Sequence, residues 1–290
     1  MSILQLLHSN PALFLISITL LSLTIGSFLN VVAYRLPLII EREWKGQCRE
    51  LLELSKEDGG DSISLSHPRS ACPKCGHQIT AWENIPVISY LILQGRCSEC
   101  NRPISIRYPL VELTTALLSL VVAWHFGFSW QTAVAVPLTW ALIALTLIDF
   151  DHQLLPDSIV LPALWGGLLI SLFGVFADTH SAIIGAITGY LSLWTIFHLF
   201  KLLTGKEGMG YGDFKLLALF GVWLGWQSLI QIMLLSSVVG AVVGISLILF
   251  RGRDRNIPIP FGPYLAAAGW ISMLWGDQIN AAYLNWAGLG

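Results

Sequence analysis

An all-α polytopic membrane fold with about eight transmembrane helices, and one small polar module between the first two, is what this sequence predicts. Three observations lead there. The 290 residues are 54% hydrophobic and only 12% charged, too apolar for a water-soluble domain. Apolar windows of about 20 residues, the length a bilayer requires, recur along the chain. Residues 35–108 form the only substantial polar segment. The net charge of −2 says little, because the positions of the charges carry the information.

The apolar windows lie near 12–34, 109–128, 130–150, 158–177, 181–203, 213–226, 228–250 and 260–276. The sixth is short, and the eighth is interrupted by glycine and proline. The first is not read as a cleaved signal peptide, since residues 1–10 carry no Lys or Arg and the apolar stretch is too long. Basic residues then set the orientation. Arg35, Arg42, Lys45, Arg49, Lys56, Arg69, Lys74, Arg96, Arg102 and Arg107 lie between spans one and two. Lys201, Lys206 and Lys215 flank the connection from span five to span six, and Arg251, Arg253 and Arg255 follow span seven. With eight spans and an external N-terminus, all 16 basic residues fall on one side, which is therefore cytoplasmic. The expected organisation is a first transmembrane helix (1–34), a cytoplasmic module (35–108) and a membrane domain (109–290).

The polar segment contains Cys72-Pro-Lys-Cys75 and Cys97-Ser-Glu-Cys100, with 21 residues between the pairs. Each pair is followed by a turn residue, Gly76 or Asn101. A Cys-x-x-Cys turn lets two thiolates converge on one metal, and two such turns complete a tetrahedral zinc site. Disulfides do not suit the cytoplasmic side, and a redox role needs a βαβ context that is absent. Four thiolates leave zinc no open position, so the expected role is a clamp that folds the loop. Cys48 stands outside the pattern as a free thiol. Residues 41–66 read as a helix followed by a flexible linker. Its carboxylates (Glu41, Glu43, Glu50, Glu53, Glu57, Asp58 and Asp61) form a solvated face.

Two aspartates stand out in apolar sequence. Asp149 ends the run Ala144-Leu-Thr-Leu-Ile-Asp149, and Asp213 closes Gly210-Tyr-Gly-Asp213. The topology brings both to the cytoplasmic ends of their spans. A carboxylate at membrane depth is costly and marks a functional site by default. Gly208, Gly210 and Gly212 alternate before Asp213, so the backbone there is open to conformations closed to other residues. A substrate strand could then approach the main chain. A glycine-rich cofactor loop is discounted, because a membrane helix precedes it where such loops need a strand. Asp157, after Pro156, is placed as the N-cap of span four. Asp151 and His152 belong to the interfacial water layer, and His125 and His198 are packed or interfacial. Glu112, after Pro109, complements a helix N-terminus.

These residues resemble a known family. Gly210-Tyr-Gly-Asp213, with Asp149 and Leu155-Pro-Asp157, is similar to the GxGD-type aspartic proteases of membranes. The two cysteine pairs, Trp82-Glu-Asn-Ile-Pro-Val-Ile-Ser89, Ile106-Arg-Tyr-Pro-Leu-Val-Glu112 and Pro260-Phe-Gly-Pro263 narrow the resemblance to the bacterial type IV prepilin peptidases. The family implies cleavage of a short basic leader after a glycine, then N-methylation of the new N-terminal residue with S-adenosylmethionine. It implies that Asp149 and Asp213 carry proteolysis and that Cys72, Cys75, Cys97 and Cys100 bind zinc. The methyl-donor residues do not carry over, although the cytoplasmic loop is the natural place for them. Prepilins and pseudopilins are the expected substrates, in the inner membrane with the active site facing the cytoplasm. No nucleic-acid partner is expected. Two nearby carboxylates would share a proton, one activating water and the other protonating the carbonyl or leaving amine. Helix dipoles favour Asp213 as the anion and Asp149 as the acid. The alternative is a proton- or metal-coupled transporter with a regulatory zinc loop. It is disfavoured by the lack of an inverted repeat and by carboxylates at one face instead of the midplane.

Overall fold

The computed structural model describes residues 3–54, 63–251, 259–286 and 288. Lys56, Glu57, Asp58, Asp61, Arg253, Arg255 and most of the expected linker lie outside the described residues. Among the described residues every regular element is helical, apart from two isolated bridges in the cysteine module. The chain forms two compact units, 1–144 and 145–290.

The first unit begins with a short helix, α1 (Ile3–Ser9), and a long one, α2 (Pro11–Leu51). Asn10 caps α2 by accepting the Leu13 N–H at 3.1 Å, and Pro11 occupies the first turn, where its missing donor costs nothing. At 41 residues α2 is about 60 Å long, roughly twice a hydrocarbon core. The boundary expected at 34/35 thus falls inside a continuous helix, and the helix expected after residue 41 is the far end of α2. The cysteine module follows, with a single helical turn α3 (Ile88–Ile92), and leads into α4 (Arg107–Phe126). Gly26 lets α2 and α4 touch, since a Cβ there would stand 2.7 Å from the Glu112 Cα. Next to it Asn30 donates to the carbonyls of Gly26 and Tyr108, both at 3.3 Å.

Helix α5 (Trp130–His152) runs from the first unit into the second. The rest of the second unit comprises α6 (Asp157–Ser171), α7 (Thr179–Thr204), α8 (Tyr211–Leu224), α9 (Leu229–Arg251) and α10 (Gly262–Trp286). Each of the eight apolar windows therefore corresponds to a helix. Among the described residues five segments are long and apolar enough to cross a bilayer: α2, α4, α5, α7 and Trp226–Leu247. Helix α6 stops at Ser171 rather than near 177, because Leu172–Gly174 form a turn with Gly174 at φ +60°.

Helix α8 has only 14 residues, and its short length has a physical reason. It is apolar all round, with Phe214, Leu216, Leu217 and Leu219 fully buried, as for a helix enclosed by others rather than facing lipid. Helices α6, α7 and α10 pack against it. The closest approach is to α7, where Gly185 and Gly221 meet backbone to backbone. A Cβ on either would overlap the carbonyl of the other. One turn on, Gly189 lies against Leu217 and Ala218, so α7 presents a small-xxx-small face.

The Gly221→Val variant should therefore push α8 off α7. We expect a loss of about 1–3 kcal/mol or more from overpacking, read as a lower unfolding midpoint in detergent.

Candidate functional site

Asp213 is the third residue of α8, whose N-cap is Gly210. Its backbone N–H donates to the Gly210 carbonyl at 3.3 Å, and its carboxylate accepts the Gly210 N–H in return. This is the acidic half of a capping box, so the helix start itself orients the side chain. Asp149 lies in the last turn of α5. Its carbonyl accepts the Gln153 N–H at 2.9 Å, and Gln153, at φ +53°, turns the chain out of the helix. Both carboxylates are buried, Asp149 at 6% exposure and Asp213 at 5%, and Asp213 lies within electrostatic reach of Asp149.

The third component is the start of α10. The Gly262 N–H donates to the Asp149 carboxylate. A Cβ on Gly262 would stand 2.6 Å from Asp149 Oδ2 and 3.2 Å from Leu155 Cδ2. On the opposite side, a Cβ on Gly212 would stand 2.8 Å from Leu155 Cβ. Buried Leu155 is thus wedged between the starts of α8 and α10, beside both aspartates. Asp149 Oδ2 is buried and has no hydrogen-bond partner among the described residues.

Three sequence expectations need correction. Asp157 is not the N-cap of α6: Pro156 holds that position, and the Asp157 carboxylate pairs with Lys215 Nζ at 2.7 and 2.8 Å. That partly exposed pair ties the start of α6 to the second turn of α8. Glu112 does not serve the start of its own helix, because it sits in the second turn of α4 and accepts the Val87 N–H at 2.7 Å. The glycines before Asp213 have no positive φ. Gly212 is required by the close approach of Leu155, and Gly210 stands in open space. Asp151 and His152 are exposed, as expected of interfacial residues. His198 Nδ1 donates to the Trp194 carbonyl at 2.9 Å and the ring packs on that of Trp194, and His125 packs against Phe126.

Gly262, Leu155 and Lys215 are the residues that sequence reasoning did not place. Pro260-Phe-Gly-Pro263 and Leu155-Pro-Asp157 entered only through resemblance, since nothing local in either points to an aspartate elsewhere in the chain.

The four cysteines of the first unit converge, with all Sγ atoms within 4.8 Å of one another. Cys72 and Cys100 lie 3.8 Å apart, and Cys75 and Cys97 lie 3.9 Å apart. The edge of a zinc–thiolate tetrahedron with 2.3 Å bonds is about 3.8 Å, while a disulfide holds its sulfurs at about 2.05 Å. The donor set and its spacing therefore fit a four-thiolate metal ion. The two knuckles repeat one design. Gly76 donates to Cys72 O at 2.9 Å and Asn101 to Cys97 O at 3.0 Å, with both turn residues at positive φ. Backbone N–H groups of Lys74 and Cys75 bring the Cys72 thiol down to about 6, whereas at Cys75 the His77 N–H is outweighed by burial and the neighbouring thiols, which push it up to about 12. Cys48 is exposed on α2, away from this set.

Glu83 braces the knuckles. It accepts from Ser98 and from the Thr80 N–H and hydroxyl (2.8 and 2.9 Å), and lies 3.2 Å from His77 Nε2. The Ser98 and Thr80 donors hold its carboxyl down at about 2, from 4.5. Its contribution is thus fully present above about pH 4.5 and is lost only as the pH falls toward 2.

Comparison with known proteins agrees with this arrangement. The Bacterial Peptidase A24 N-terminal domain matches residues 20–126, and the Type IV leader peptidase family matches residues 136–245. A prepilin leader peptidase/N-methyltransferase from Stutzerimonas stutzeri is 58% identical over 285 residues, 98% of this chain and 99% of that protein. The protein of the same name from Pseudomonas aeruginosa is 58% identical over 288 residues, 99% of each chain. That from Legionella pneumophila is 46% identical over 281 residues, 97% of this chain and 96% of the relative. No solved structure matches the chain. With near-full-length relatives at such identity, and with one family region covering both buried aspartates and another covering all four cysteines, the chain belongs to the type IV leader peptidase family.

Proposed function

We propose that this membrane enzyme cleaves the leader of prepilins and pseudopilins with Asp149 and Asp213, and methylates the new N-terminus using S-adenosylmethionine. The observation that carries the peptidase reading is the pair of buried carboxylates, Asp213 in the first turn of α8 and Asp149 in the last turn of α5, each accepting a backbone N–H at a helix start. Two such groups ionise together only at high cost, so at working pH the pair holds one proton. The ionised member takes a proton from water as it attacks the scissile carbonyl. The protonated member donates to the carbonyl oxygen and then to the leaving amine. Leader peptides are basic and pilin N-termini apolar, so the scissile bond belongs at the cytoplasmic interface. The charge distribution supports that side for the active site, with the N-terminus periplasmic.

Helix dipoles do not divide the two roles as the sequence suggested. Asp213 faces the N-terminus of α8; Asp149 faces that of α10 while lying in the last turn of α5, so the start of α10 offsets the end of α5 and the contrast between the two acids narrows. The pair is best treated as one titrating unit.

Zinc at Cys72, Cys75, Cys97 and Cys100 supplies a fixed cross-link within the loop when bound. The two knuckle turns hold the thiolates, and Glu83 fixes the residues between them. Residues 35–108 then act as a metal-folded module, and 109–290 as the peptidase domain. A transporter finds no support, because the full-length relatives are named as enzymes.

Three outcomes test this reading. Asp149→Asn and Asp213→Asn should each lower prepilin cleavage by about 10²–10⁴-fold or more, read by mass spectrometry of the processed pilin. Near wild-type cutting by either rules out the pair. Gly262→Ala should displace the Asp149 carboxylate and reduce cleavage by about 10²-fold, without moving the unfolding midpoint as Gly221→Val does. Elemental analysis should find one zinc per chain, and Cys97→Ser should lose it and expose 63–106 to limited proteolysis.

A further inference from the structure

The first unit contains a cavity of about 360 Å³ between the cysteine knuckles and the adjoining stretches of α2 and α4. That volume lies in the range of small-molecule sites, and its lining differs chemically from end to end. Tyr90 and Tyr108 offer aromatic faces, Lys74 and Arg102 offer positive charge, and Glu83 and Glu112 bring carboxylates. Glu83 already serves the knuckles. Glu112 plays no part in them. It is 8% exposed, and its hydrogen bonds come from the Val87 N–H and from Ser27, neither of them a cation. Val87 reaches it from a γ-turn conformation, φ +62° and ψ −48°, closed by the Ile88 N–H donating to the Pro86 carbonyl at 2.6 Å, a rare geometry for a β-branched residue. The fold thus accepts a strained residue where it fixes a buried carboxylate on a cavity wall, and such strain collects at functional sites.

A ligand matched to these walls carries a flat heteroaromatic ring, a carboxylate and a positive charge in one molecule. We infer that this cavity binds the methyl donor, S-adenosylmethionine, with Glu112 facing its sulfonium and the tyrosines flanking its purine. The inference rests on the methyltransferase reading above. Transfer forms a bond from the pilin amine nitrogen to the methyl carbon as the carbon–sulfur bond breaks. The electron pair stays on sulfur, the amine proton passes to water, and neutral-sulfur S-adenosylhomocysteine remains. Loss of charge at sulfur is what makes the role of Glu112 measurable.

The test is equilibrium binding of S-adenosylmethionine and of S-adenosylhomocysteine to the full-length enzyme in detergent. Zinc content and gel-filtration profile serve as controls for folding. Glu112→Gln keeps the acceptor for Val87 and removes the charge. It should weaken S-adenosylmethionine by about tenfold or more, the loss of one charge-assisted contact, and leave S-adenosylhomocysteine within about twofold. Ser89→Trp, which fills the cavity from α3, should abolish binding of both. Wild-type affinities in both variants would place the donor elsewhere and overturn the assignment. Equal weakening of both ligands by Glu112→Gln would overturn the charge role of Glu112. No binding by the wild-type enzyme would instead defeat the methyltransferase reading itself.

Discussion

Everything about the aspartate site follows from the need to keep two carboxylates in an apolar bundle. Removed from bulk water, each needs donors that the membrane cannot supply, and here the donors are backbone N–H groups at helix starts. Asp213 uses the start of its own helix, accepting from Gly210. Asp149 uses the start of α10, a helix more than 100 residues further along the chain. For both to be served at one place, α8 and α10 must begin side by side. Leu155 fills the space between them, and Gly212 and Gly262 leave room for it. Two local differences remain between the acids: Asp149 lies in the last turn of α5, and its Oδ2 is buried without a hydrogen-bond partner among the described residues.

That arrangement is only as precise as the helix that carries Asp213. Helix α8 is enclosed on all sides and is held against α7 by backbone contact at Gly185 and Gly221. The Lys215–Asp157 pair adds a tether to α6 at the same end. Partly exposed, it contributes little to stability, but it fixes the direction from which the chain leaves α5 and Leu155. Packing supplies the rigidity, and the charged pair supplies registration.

The cysteine module solves the opposite problem. It lies in polar sequence, where a short loop has too little apolar surface to fold by burial, so a metal-sized cluster of thiolates replaces a core. The knuckles and Glu83 make one wall of a cavity whose far side is α2 and α4. Chemistry that cleaves and chemistry that methylates would thus rest on separate devices, one built from helix ends and the other from a metal-braced loop.

The amino-acid sequence by itself determined where the eight apolar helices fall, because apolar run length is a local property of each window; it did not show that α6 and α8 are too short to match the five bilayer-length segments. It also determined the cysteine cluster, since two Cys-x-x-Cys turns followed by Gly76 and Asn101 dictate their own geometry. Asp149 and Asp213 were legible as isolated charges in apolar runs. Tertiary structure decided what no window contains: that Gly262 serves Asp149, that Asp157 meets Lys215 instead of capping α6, and that Glu112 reaches Val87. Each of these joins residues 25 to 113 positions apart. Periodicity and capping rules act within a few residues, whereas which helix end meets which carboxylate depends on how the helices pack.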